Sequence, residues 1–175
     1  TTGSTSGTGT ISDPVDAIAD GIALADECVI VNAGTYAEYE ISTAGKNVDV
    51  WGVDGWETTI IDPGLSTCDY ATSSDCHAIW EITSGSGATP NIHGFTVRGG
   101  SGSVDSSSTS ETCADSTASS GGDNTCTVTT LTFCGGGANI NGDDPSFSDV
   151  LFDDNDLPAD GQYSTGDWTQ TWVQS

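Results

Sequence analysis

Apolar positions follow two different periods along this chain. Between Asp13 and Glu27, the residues Val15, Ile18, Ala19, Ile22 and Ala25 recur at spacings of three and four, which draws one stripe down a helix. Ser12 or Asp13 stands at the cap position, Pro14 suits a first turn, and Asp16 sits near the positive end of the helix dipole. The spacing predicts a helix over 12–27, weakened at Gly21 by about 1 kcal/mol relative to alanine. Its stripe is narrow, so the helix needs an apolar surface beneath it.

Beyond Glu27 the period shortens to that of extended chain. Residues 28–31, 39–41, 48–51, 58–61, 78–82, 92–97, 128–133, 138–140 and 147–152 form short runs rich in β-branched and aromatic residues, separated by Gly, Asn, Asp and Ser. Only Asn141-Gly142 resembles a tight hairpin turn. Many short strands without hairpins, after a single helix, suit a solenoid that turns in one sense. An internal similarity agrees: Phe95-Thr-Val97-Arg-Gly99-Gly100 resembles Leu131-Thr-Phe133-Cys-Gly135-Gly136, with Val150-Leu-Phe152 as a looser copy. The spacing predicts one coil of about twenty residues, interrupted by a polar inserted loop over 101–127.

Composition then narrows the class. Lys46 and Arg98 are the only basic residues against 26 acidic ones, and the net charge is −24. Nucleic acid and anionic membranes are excluded as partners, because binding them relies on basic side chains. No stretch approaches the roughly 18 apolar residues of a membrane span. The chain starts at Thr1 and has no methionine, which leads us to expect a removed leader and a secreted or cell-surface protein. Six cysteines in such a chain imply disulfides. Local spacing favours Cys68 with Cys76 and Cys113 with Cys126, leaving Cys28 and Cys134 to meet only if the fold joins distant segments.

The acidity has three readings: divalent-cation binding, a saline habitat, or solubility. Asp143, Asp144, Asp153, Asp154 and Asp156 crowd one segment and are the candidate ligands for structural Ca2+, which takes hard oxygens. Residues 1–11 are almost devoid of apolar side chains and read as a flexible or strand-exchanging tail, in which Thr1, Thr2, Thr8, Thr10 and Ile11 are candidate assembly residues. Residues 158–175 read as a C-terminal flap or last strand. There, alternation places Trp168 and Trp172 on one face, available to close the stack, to meet a second subunit or to take a sugar.

Pro14-Val-Asp-Ala-Ile-Ala followed by Cys28-Val-Ile-Val-Asn-Ala-Gly34-Thr-Tyr36-Ala-Glu38 resembles the entrance of right-handed parallel β-helix proteins of the pectin-lyase-like class. Val50-Trp-Gly52, residues 58–64 and Ile92-His-Gly94-Phe95 resemble further coils. Residues 135–155 are similar to the repeats of bacterial surface β-helices. The resemblance implies an all-β fold: a short right-handed parallel β-helix over 12–175, with an N-terminal capping helix and a disulfide-containing inserted loop. It also brings polysaccharide lyases and hydrolases into view. Lyases of that class use a basic residue, and Arg98 is the one arginine, better suited to pairing with neighbouring carboxylates. No catalytic constellation emerges. The expectation is a non-enzymatic extracellular structural protein, a self-associating head-to-tail subunit of a surface layer, adhesin or filament. The alternative is a carbohydrate-active module that binds glycan.

Overall fold

In the computed structural model of the protein, residues 3–65, 76–114, 123–134, 136–155, 162–165 and 168–174 are described, those within 103–134 and 162–174 by backbone alone. The helix is shorter than its apolar stripe. Helix α1 is Ile18–Leu24, and Ala17 before it is extended, with φ −116° and ψ 142°. The expected cap is spent elsewhere, because the Asp13 carboxylate accepts hydrogen bonds from the Thr8 amide and hydroxyl at 3.1 and 3.0 Å. Seven residues are too few for a helix to hold itself together in water. Burial of Ile18 and Ile22 against the core fixes α1 in place.

Short strands follow: β1 (Cys28–Val31), β2 (Gly34–Tyr36), β3 (Asp49–Gly52), β4 (Thr59–Ile61), β5 (Trp80–Ile82) and β6 (Asn91–Arg98). After them come β7 (Ser103–Ala114), β8 (Asp123–Cys134), β9 (Ala138–Ile140), β10 (Ser146–Asp153), β11 (Gln162–Thr165) and β12 (Trp168–Gln174). The largest sheet is six-stranded and wholly parallel, with path β1-β3-β6-β4-β2 and β10 on β6. Its register repeats: Cys28 lies beside Asp49, Asp49 beside Asn91, and Asn91 beside Ser146. Strand β6 bends at Gly94 (φ 82°), pairing β3 before the bend and β4 after it, and β10 bends at Asp149 (φ 51°) beside it. The sheet therefore curls around a corner. A second parallel pair, β5 with β9, is joined by a bridge from Ile41 to Trp80.

This arrangement stacks like residues in columns. Val29, Val50 and Ile92 are neighbours in register and buried, as are Ile61 and Val97. Trp80, Ile82 and Phe95 complete the interior. Each such side chain, fully buried, contributes about 1.5–3 kcal/mol of hydrophobic stabilisation.

Two expectations are corrected. Residues 128–133 do not form a coil, and Leu131–Phe133 is not the repeat of Phe95–Val97. They lie in β8, which pairs antiparallel with β7 from Ser103–Cys134 to Ala114–Asp123. The parallel partner of Phe95 is Val150, and that of Val97 is Phe152. The inserted segment is thus a long two-stranded hairpin reaching Cys134, because its alternating Thr and Val suit extended chain as well as a coil does. In the N-terminal segment Ser4 donates to the Pro14 carbonyl, and Thr8 and Thr10 to that of Asp13.

Candidate functional site

The outer surface is organised by side chains that tie one strand or turn to the next. Both histidines do this in the same way. His93 stacks on Trp51 at 5.3 Å with planes 20° apart, and its Nε2 lies 3.0 Å from an Asp49 carboxylate oxygen. His77 stacks on Tyr39 at 4.3 Å, and its Nδ1 is 2.6 Å from the Glu40 carboxylate. Arg98 donates from Nε to Asp62 at 2.8 Å, so the pairing with a carboxylate expected of it is present. Lys46 turns inward to the backbone of α1, donating to the carbonyls of Ile22, Ala23 and Ala25. Each of the two basic residues is thereby engaged within the chain.

Acidic and amide side chains serve turn backbone. Glu38 accepts from the amides of Ile18 and Ala19 at 2.7 and 3.0 Å. Asp54 accepts from Ala33, and Asn47 from Thr89. Asn155 receives the Gly100 amide and donates to the Val97 carbonyl. Asp143 is buried, and its two oxygens accept from the Ser84 amide and hydroxyl, the Ser86 hydroxyl and the Ala88 amide. The Ser84 hydroxyl first, with the other donors, holds its carboxyl below the ordinary range against the opposing effect of burial.

The calcium candidates differ in their surroundings. Asp143 is taken up by the 84–88 turn. The Asp154 carbonyl accepts from Gly99, Asp153 ends β10 opposite Arg98, and the Asp144 amide donates to Ala88. Asp156 lies outside the described residues. Among the described residues, no three His, Cys, Asp or Glu side chains gather as a metal site.

Of the cysteines, Cys76 is disulfide-bonded, and its expected partner Cys68 lies outside the described residues. Cys28, expected to be bridged, is a free exposed thiol beside Asp49. Burial, then the Asp49 charge, raises its pKa. Cys113, Cys126 and Cys134 lie in the hairpin, where only backbone is described.

The assembly candidates divide similarly. Thr8 and Thr10 are held in the tail turn, Ile11 projects from it with 97% of its surface exposed, and Thr1 and Thr2 lie outside the described residues. Trp168 and Trp172 fall on β12, which runs antiparallel to β11 and pairs parallel with β8, Trp172 lying opposite Leu131.

The first and last strands of the six-stranded sheet differ. At β1, α1 packs against buried Val29. At β10, Phe152 lies in register with buried Val97, itself beside buried Ile61, and is still 44% exposed. Ile140, in register with buried Ile82, is 45% exposed. Sequence reasoning did not single out these exposed apolar residues.

Among the described residues, Glu81 is the one carboxyl with a raised pKa. Burial is the main cause, opposed by Asn139 and Thr83 and reinforced by the Glu40 charge. Asn139 donates to its Oε1 at 2.8 Å, while its enclosed Oε2 has no partner among the described residues. No helix among the described residues is long and apolar enough to cross a membrane. No family model, curated protein or solved structure matches the chain.

Proposed function

We propose that the chain is a short right-handed parallel β-helix and serves as an extracellular structural protein, a subunit that associates with copies of itself in a surface layer or filament. The repeated parallel register supports the coil, and right-handed crossovers dominate wherever parallel strands of one sheet are joined. The single observation that carries the function is the unfinished last rung, where Phe152 and Ile140 occupy core columns and remain exposed. Such a rung gains free energy by acquiring a cover. The outer histidines, carboxylates and amides are committed to fastening coils, which suits a load-bearing part better than a reaction centre.

Negative-stain electron microscopy of the purified protein, with and without Ca2+, tests this. Regular linear assemblies support it, and their loss in chelator would assign Ca2+ to the joints, where Asp149, Asp153 and Asp154 lie on or beside β10. Dispersed particles at all concentrations, in both conditions, would reject the structural reading.

A second reading, a module that binds neutral glycan, rests on the exposed Trp51 beside Asp49 and His93 on the outer sheet face. Aromatic rings stack on sugars, but His93 already lies against this indole. Titration with neutral oligosaccharides, followed by indole fluorescence in wild type and Trp51→Ala, tests it. Responses identical in the two proteins would end it.

A further inference from the structure

An open groove of about 390 Å³ lies between the N-terminal segment, α1 and β1, within the size range of cavities that hold ligands. Ile11, Pro14, Val15, Leu24, Val29 and Ile30 line it, and no lining residue is charged. Ile11 and Leu24 stand 97% and 58% exposed. Strand β1 forms one wall. It ends the sheet path and pairs β3 alone, so its other edge carries no strand among the described residues.

The surroundings of this apolar floor are acidic. Asp13, Asp16, Asp20, Asp26 and Glu27 are all exposed, and each stands next in sequence to a residue of the groove wall. Asp13 spends one carboxylate oxygen on Thr8. The other four face no cation of their own chain, for the ion pairs among the described residues are His77–Glu40, His93–Asp49 and Arg98–Asp62. Lys46 reaches α1, but its ammonium is committed to the carbonyls of Ile22, Ala23 and Ala25. Like charges gathered in this way repel one another, and a bound cation relieves the repulsion.

Apolar lining, an open strand edge and unbalanced negative charge together define one kind of occupant. A second copy of this chain does not fit the groove, since it brings a net charge of −24 and two basic side chains that are both engaged. A neutral ligand leaves the carboxylates unbalanced. An extended peptide with alternating apolar and basic residues meets all three conditions. Its backbone adds to the edge of β1, its apolar side chains enter the groove, and its ammonium or guanidinium groups reach the rim.

We infer that the groove beside α1 binds a basic amphipathic segment of another protein in extended form. Asp16, Asp20, Asp26 and Glu27 are its charge partners, and Ile11 and Leu24 clamp its apolar side chains. The site is independent of self-association, because a single copy of the chain carries all of it.

Fluorescence anisotropy on the full chain, with three labelled synthetic peptides of equal length, tests this: alternating Lys-Leu, alternating Lys-Ser and alternating Glu-Leu. An ionic strength of about 0.15 M shortens the Debye length to about 8 Å and suppresses loose attraction to so acidic a protein. The expected result is saturable binding of the Lys-Leu peptide, binding of Lys-Ser weaker by severalfold, and none of Glu-Leu. Ile11→Ser with Leu24→Ser, and separately Asp16→Asn with Asp20→Asn, each weaken Lys-Leu binding severalfold. Asp144→Asn, which removes an exposed charge that is not part of the groove, leaves it unchanged. Equal binding of Lys-Leu and Lys-Ser, or an equal loss in Asp144→Asn and the rim variant, reduces the effect to net charge and overturns the inference. Binding of Glu-Leu as tight as that of Lys-Leu assigns the groove to any apolar occupant, a second copy included, and overturns it as well. The peptide series is read on wild type, so a variant that fails to fold does not remove the test.

Discussion

Glu38 and Lys46 hold opposite ends of the same seven-residue helix. The Glu38 carboxylate accepts the amides of Ile18 and Ala19, and the Lys46 ammonium donates to three carbonyls at the other end. Each charge has the sign that complements the helix dipole where it sits. Removing the Glu38 carboxylate leaves the first amides uncapped, so Glu38→Ala is expected to cost about 1 kcal/mol. Lys46→Ala strips hydrogen bonds to a charged donor and is expected to cost about 1–3 kcal/mol. Because both act on one helix, the double variant should lose less than the sum. Urea denaturation of the four proteins checks this, and full additivity would show that the two ends are independent.

Asp143 predicts an acid-sensitive turn. Its folded pKa lies below the unfolded value, so its stabilisation is present above the ordinary carboxylate range and lost as pH falls through the folded value. Asp143→Asn is expected to melt a few degrees below wild type at pH 7, with the gap closing in acid. Thermal melts at pH 7 and pH 3 measure it. A gap that is equal at both would mean that the charge is irrelevant.

Glu81 predicts the opposite slope. Its folded pKa is raised, so the folded state favours the protonated form, and stability falls as pH rises from the unfolded value through the folded one. Glu81→Gln removes the charge but keeps the shape. The variant should match wild type in acid and melt higher at neutral pH. Melting below wild type at pH 7 would contradict the assignment.

Gly94 marks the corner of the curled sheet. Its φ is 82°, and a Cβ there would run into the Gly52 carbonyl oxygen of the preceding rung. Gly94→Ala combines left-handed strain of about 1–2 kcal/mol with a backbone clash that no rotamer relieves. It should reduce soluble yield or lower the melting temperature more than Gly55→Ala. Gly55 also has positive φ but has open space around its Cβ position. Equal effects would mean that strain alone matters.

Local pattern was enough to locate the helix stripe and most of the short strands, because side-chain period is a property of neighbouring residues. Ile18 and Ile22 face the core as their spacing implies, and Val29, Val50 and Ile92 are buried as alternation implies. Charge composition likewise anticipated the pairing of Arg98, which has many carboxylates to choose from.

Tertiary structure decided the rest. The Thr-rich run 127–132 has the period of a strand whether its partner is the preceding coil or its own hairpin, so sequence could not choose between them. The helix caps come from 20 and more residues away, and no cap motif near Asp13 announces Glu38 or Lys46. Asp143 takes its donors from the turn at 84–88, 55 or more residues earlier in the chain, which no local spacing announced. The exposure of Phe152 likewise reflects that, among the described residues, β10 pairs with β6 alone in its sheet, an arrangement no local segment encodes. Hydrophobic period is local and survives in the sequence. Hydrogen-bond partners and burial at an end are set by which distant coils come to lie side by side.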